Sequence, residues 1–344
     1  MESGSEGPGE RNVGIVDLHV DSIIQQRLFR YDIHRRHRAG VKGQPFFWHA
    51  DIPRMIEAGY SGVCMGIHFY PWESERGWRE MKRQIAYLDE IAATEERVLR
   101  VREVEDWERA EREKKLAMAP GVEGAHMLNG KIERVERLAK VGVSYLTLTH
   151  FSANSAATPS MGRGANERDG LTAFGRRLIR ELNEARIAVD LAHVNTPGVL
   201  ETCGLTKVPV FCTHTGVKGV HDHARNISDA EIDAIAETGG VIGIIFGPVF
   251  LSGKLRASTE VALDHLDYVV GRVGVEHVAL GSDYDGWLPT ILSDHRDCRD
   301  IVRLVDGLSE RGYSQKEVEM IKGGNALRVM RAVASFGEVR ALVG

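Results

Sequence analysis

The stretch Asn12 to Asp21, "NVGIVDLHVD", closes an apolar run on a histidine and an aspartate two residues apart. In an extended chain the side chains at i and i+2 share a face, so His19 and Asp21 project together from a strand end as a two-armed ligand for a cation. The spacing alone is common here: His-x-Asp recurs at 49/51, 265/267 and 295/297. What distinguishes the first pair is its company. "GVEGAH" offers Glu123 and His126, "SYLTLTH" ends at His150, "IAVDLAH" at His193, "VPVFCTH" at His214, and "HVALGSDYDG" carries Asp283 and Asp285. Mixed imidazole and carboxylate donors suit zinc or a similar divalent ion. They outnumber the ligands of a single tetrahedral site, and two cations about 3.5–4 Å apart would use them, acidifying a shared water and polarising a carbonyl. That chemistry is hydrolysis.

Such residues must be delivered by a scaffold. Short apolar runs at about 13–19, 60–67, 115–122, 143–149, 187–192, 208–213, 240–246 and 277–282 read as strands. Between them lie stretches of helical periodicity such as "WREMKRQIAYLDEIAATEERV", "LTAFGRRLIRELNEAR" and "STEVALDHLDYVVGRVG". Ser228 with Glu231 three residues on marks a helix start, and the glycines of "ETGG" mark its end. Asp51 before Ile52-Pro53 reads as another helix cap. Alternating apolar strands and helices predict an α/β fold, a single-domain, TIM-like (β/α)8 barrel of the metallo-dependent hydrolase type, with a doubly wound open sheet as the alternative. Neither a dinucleotide-binding G-x-G-x-x-G after the first strand nor a phosphate-binding P-loop occurs. In such barrels chemistry collects at the C-terminal ends of the strands, where these residues fall.

Bulk properties narrow the class. A chain of 344 residues with formal charge −5 is not a general nucleic-acid or membrane-surface binder. The basic run 27–43 reads as a solvated helix and loop. Cys64, Cys203, Cys212 and Cys298 lack C-x-x-C spacing and read as free thiols. Residues 1–11 read as a disordered tail without signal-peptide character, 12–335 as the barrel and 336–344 as a C-terminal tail. With no apolar stretch long enough to span a bilayer and no lipid-anchor signal, the expected location is cytoplasmic.

Taken in order, "DLHVD", "GVEGAH", "YLTLTHFSAN", "IAVDLAHVN", "VFCTHTG", "ARNISD", "GSDYDGW" and "GGNALRV" resemble the membrane dipeptidase (renal dipeptidase) family of zinc metallopeptidases. The resemblance implies a binuclear-zinc dipeptidase tolerant of a D-residue at the C-terminal position, working through a metal-bridging hydroxide. It makes His19 and Asp21 ligands of one zinc, His193 and His214 ligands of the other, and Glu123 the bridge. His150 would contact the scissile carbonyl, Arg225 the substrate carboxylate, and Asp283 would shuttle the proton, with Asp285 the competing choice. It also suggests a homodimer. Two departures bear on specificity: "IIFGPVFLSG" replaces a tyrosine-containing segment after strand seven, and His221 and His223 are additional. A related hydrolase of N-acyl-amino acids or another small amide, ester or lactone is the alternative, and a non-catalytic binding barrel a third reading. His126 is expected to orient Glu123, while the aromatic cluster "FYPWESERGW" either roofs the pocket or packs its loop.

Overall fold

The computed structural model describes residues 14–69 and 72–337. Nine parallel strands are present among them: β1 (Ile15–Val20), β2 (Tyr60–Ile67), β3 (Val98–Arg100), β4 (Leu116–Glu123), β5 (Tyr145–Thr147), β6 (Ala188–Asp190), β7 (Phe211–Thr215), β8 (Val241–Ile244) and β9 (Val278–Leu280). They pair in the order β2-β1-β9-β8-β7-β6-β5-β4-β3, and a second pairing of β2 with β4 closes the ring. Eight strands therefore form a closed barrel, as the sequence predicts, and the open-sheet alternative falls.

The ninth strand, β3, is a correction. It lies against the first residues of β4 (Val98 opposite Leu116, Arg100 opposite Met118), and β5 takes over that edge only from Gly121 opposite Tyr145. Three residues at the tail of a helical stretch are too few for an alternating pattern to show. Barrel strands are buried on both faces, β1 and β4 without exception, which is why they read as continuous apolar runs.

Helices between the strands follow their sequence signals. The 20-residue helix Glu75–Thr94 buries Trp78, Met81, Ile85, Leu88 and Ile91, the i, i+3, i+4 stripe of an amphipathic helix. Ser228 and Glu231 form the expected reciprocal cap of Asp229–Glu237, and Gly239 follows with φ +77°. Asp51 accepts from the Arg54 amide at 2.9 Å with Pro53 in the first turn. All four cysteines are free. The residues assigned to the N-terminal tail, and most of those assigned to the C-terminal tail, lie outside the described residues. No described helix is long and apolar enough to cross a membrane.

Candidate metal centre and catalytic residues

The candidate residues stand at the same end of the barrel strands, β8 (Val241–Ile244) alone among them contributing none. His19 lies in β1, and Asp21 follows that strand at the start of the helix Ser22–Phe29, so both point into the mouth with His19 Nε2 3.3 Å from Asp21 Oδ1. Gly66 on β2 provides the space: a Cβ there would stand 1.8 Å from Asp21 Oδ1 and 2.8 Å from His19 Nε2. Glu123 ends β4 and reaches across the barrel. Its Oε1 stands 3.0 Å from His193 Nε2, 3.4 Å from His214 Nε2 and 3.7 Å from His19 Nε2. His193 and His214 approach each other at 3.0 Å between Nε2 atoms, and the His19 and His214 rings stack at 4.0 Å. All five side chains are buried.

Three compact ligand triads result among the described residues: His19, Asp21 and Glu123; Glu123, His193 and His214; and His19, His214 and Asp283. Donors bound at about 2.0–2.1 Å around a tetrahedral zinc lie about 3.3 Å apart. The spacings of 3.0 to 3.7 Å around Glu123 Oε1 bracket that edge. His19 Nε2 and Asp21 Oδ1 are buried with no hydrogen-bond partner, an expensive arrangement unless a cation takes them. The donor set fits divalent metal.

Tautomers are fixed from beneath. The Tyr145 hydroxyl donates to Leu18 O at 3.0 Å and stands 2.7 Å from His19 Nδ1, so Nδ1 must donate to it and Nε2 keeps its lone pair facing the mouth. Thr213 repeats the device: its hydroxyl donates to Asp190 at 2.9 Å, so His214 Nδ1, also at 2.9 Å, donates to Thr213. Gly121 makes room for Tyr145, whose ring lies 2.0 Å from where a Cβ would be.

The electrostatics favour positive charge. Burial alone depresses His19, but the Asp21 and Glu123 carboxylates outweigh it and lift the imidazole to about 10. A site that holds a proton so firmly offers the same field to a metal ion, which competes for the same lone pair. Burial takes His193 and His214 well down, leaving them neutral, the form in which an imidazole can bind a metal. Burial works against the Glu123 carboxylate, but the charged His19 imidazole beside it holds it well below the ordinary carboxylate range. Asp283 goes the other way, raised by burial and by the neighbouring Asp21 carboxylate. His193 and Asp283 both adopt left-handed backbone, φ +67° and +58°, an uncommon conformation that clusters at functional sites.

The remaining sequence candidates separate. Asp285, fully buried, is consumed by Ser22 Oγ (2.5 Å) and the amides of His49 (2.8 Å) and Ala50 (3.2 Å), stitching two loops together rather than joining the centre. His150 Nε2 lies 3.6 Å from Glu123 Oε2. Arg225 is buried and donates to His214 O at 2.7 Å. His126 turns away: its Nε2 pairs with Ser152, and it makes no hydrogen bond to Glu123, correcting the orienting role expected of it. His221 and His223 stack at 6.1 Å beside Phe250, outside every triad. In the aromatic cluster Trp78 packs beneath Arg134 while Trp72 is exposed. The basic run is largely solvated, with Arg30, Arg35, Arg36, Arg38 and Lys42 exposed. One residue escaped the sequence reading. His68, directly after β2, places Nδ1 3.4 Å from Glu123 Oε2, and its signal was the same one used elsewhere, a histidine closing a strand.

The sequence also matches the profile of the membrane dipeptidase family, peptidase family M19, over residues 10–342. The chain belongs to that family. Membership makes it a metal-dependent hydrolase of peptide bonds. Among relatives, dipeptidase tcpJ of Claviceps purpurea is 29% identical over 297 residues, covering 83% of this chain and 69% of that protein. The crystal structure of a dipeptidase AC, a metallopeptidase of the same family, superposes with TM-score 0.82 at 22% identity, over 95% of this chain and all of that one. A Rhodobacter sphaeroides metallopeptidase, solved with a phosphinate mimic of L-Ala-D-Ala, gives TM-score 0.82 at 21% identity over 94% and 99% of the two chains. These structural likenesses establish the barrel.

Proposed function

We propose that this M19 member is a binuclear-zinc dipeptidase that accepts a D-residue at the C-terminal position. The observation that carries the reading is the convergence of imidazoles from three strands on one oxygen of Glu123, at 3.0, 3.4 and 3.7 Å, inside a buried mouth. His19, Asp21 and Glu123 would hold one cation, and Glu123, His193 and His214 the other. Bound there, divalent cations supply an acidic water and a Lewis acid for the substrate carbonyl. The chain's residues do the rest. His150, neutral because burial takes it down to about 3, donates to the carbonyl oxygen as negative charge develops; losing one such donor typically costs about 10²–10³ in rate. The Asp283 carboxylate takes a proton from the attacking water and returns it to the leaving amine. Arg225, always charged and planar, receives the C-terminal carboxylate as a two-pronged ion pair. The Rhodobacter sphaeroides relative with its L-Ala-D-Ala mimic supports the substrate class.

The test compares L-Ala-D-Ala, L-Ala-L-Ala and their C-terminal amides on zinc-loaded protein, with bound metal counted by mass spectrometry. Two zinc per chain and selective cleavage of the free acids are expected. Equal cleavage of amide and acid would refute the Arg225 role. Hydrolysis of N-acyl-amino acids in place of any dipeptide would replace the reading with the neighbouring amide hydrolase.

A further inference from the structure

On the mouth side of the carboxylates stands an imidazole to which the mechanism gives no task. His68 has a side chain only 10% exposed, and its Nδ1 has no hydrogen-bond partner. Its backbone is pinned, because the carbonyl accepts from Gln84 at 2.9 Å and from Arg27 at 3.2 Å. Asp21 and Glu123 divide their oxygens in the same way. One oxygen of each faces His19 Nε2, Asp21 Oδ1 at 3.3 Å and Glu123 Oε1 at 3.7 Å. The other faces His68 Nδ1, Asp21 Oδ2 at 4.0 Å and Glu123 Oε2 at 3.4 Å. His68 joins no compact ligand triad among the described residues, so its nitrogen points into the site from outside the metal-holding set.

In its Nε2–H tautomer His68 presents an Nδ1 lone pair beside the two carboxylate oxygens, which makes three acceptors. A primary ammonium brings three N–H donors and a positive charge to such a space. A dipeptide carries that group at its amino end, on the same Cα as the scissile carbonyl. His150, the carbonyl's proposed contact, has its ring 5.4 Å from that of His68 and reaches the same Glu123 oxygen. We infer that His68, with Asp21 Oδ2 and Glu123 Oε2, receives the free amino terminus of the substrate. Arg225 then checks the carboxyl end and His68 the amino end, and the site selects unblocked dipeptides at both. This rests on the dipeptidase reading and adds to it a residue for the amino end.

The experiment uses zinc-loaded wild type, His68→Phe and His68→Asn. It measures hydrolysis of L-Ala-L-Ala, inhibition by an Ala-Ala phosphinate with its amine free or acetylated, and bound metal. Hydrogen bonds to a charged group correspond to about 10–100-fold in affinity. The free-amine phosphinate is therefore expected to lose about that factor in His68→Phe. The acetylated one should change less than about threefold, KM for the dipeptide should rise more than kcat falls, and zinc should stay bound. His68→Asn, with an acceptor oxygen near the place of Nδ1, should recover part of the loss. Loss of zinc from His68→Phe with both inhibitors weakened together would make His68 a ligand and overturn the proposal, as would unchanged free-over-acetylated selectivity in both variants. A wild type that cleaves no dipeptide would sink the dipeptidase reading and this one with it, whereas unchanged selectivity in active variants removes only the role of His68.

Discussion

Replacing Tyr145 with phenylalanine removes one oxygen and tests whether the centre is set from below. That oxygen accepts from His19 Nδ1 at 2.7 Å and donates to Leu18 O at 3.0 Å, inside a fully buried ring. Two consequences follow and they differ in kind. The folded protein leaves a buried imidazole N–H and a carbonyl without this partner, a cost of about 1–3 kcal/mol. Separately, His19 is no longer held in the tautomer that presents the Nε2 lone pair, and loss of such an orienting partner typically lowers metal affinity about 10–100-fold. Zinc affinity measured by competition against a chromophoric chelator, beside urea unfolding of the metal-free protein, separates the two. Weaker zinc binding together with a modest stability loss is expected, and Thr213→Val should act in the same way through His214. If Tyr145→Phe loses stability but binds zinc as tightly as wild type, the hydroxyl is a packing group and the tautomer argument fails.

Gly66→Ala puts a methyl 1.8 Å from Asp21 Oδ1, so the variant should fold at a cost of about 1–3 kcal/mol yet retain less metal; full zinc occupancy by mass spectrometry would show that the carboxylate can sit elsewhere. Asp283→Asn should lower kcat by about 10²–10⁴ with little change in melting temperature, whereas Asp285→Ala, which strips buried donors at Ser22, His49 and Ala50, should lose about 1–3 kcal/mol of stability; the reverse pattern would exchange their assignments. His295, buried between Tyr284 and Thr259, is held down to about 4 by burial. Unfolded chains protonate histidine near pH 6.5, so between 6.5 and 4 the unfolded state binds the extra proton. Stability then falls as pH drops through that window, by about 3 kcal/mol at most, and His295→Asn should flatten that part of the urea-unfolding profile.

The fold was legible because burial on both faces wrote the barrel strands as apolar runs, most of them closing on a polar residue at one end. His19, Glu123, His193 and His214 could be picked out on that ground alone. The same rule covers His68, which follows directly on Ile67, the last residue of β2. Elsewhere the chain carries no local signal. Asp283 and Asp285 lie two apart in one loop and both have left-handed backbone, φ +58° and +69°. Only the position of Ser22 and of the His49 and Ala50 amides decides which of them leaves the centre. The same holds for Gly66, Gly121 and Tyr145, whose importance is set by what stands opposite them on a neighbouring strand.

That division has a physical cause. A metal ligand must be a histidine, aspartate or glutamate, so its identity survives in the sequence, whereas the groups that place it need only fill or vacate a volume. Burying Asp21, Glu123 and Asp283 together opposes folding, since like charges out of water repel and lose hydration. The core cannot offset this locally, because the residues around the mouth are themselves polar. A cation between the carboxylates removes the repulsion and occupies the unpartnered His19 Nε2 and Asp21 Oδ1 at once. The buried negative field at the rim and the imidazoles facing it are thus two halves of one requirement, and Glu123 Oε1, within 3.7 Å of three imidazoles, is where they meet.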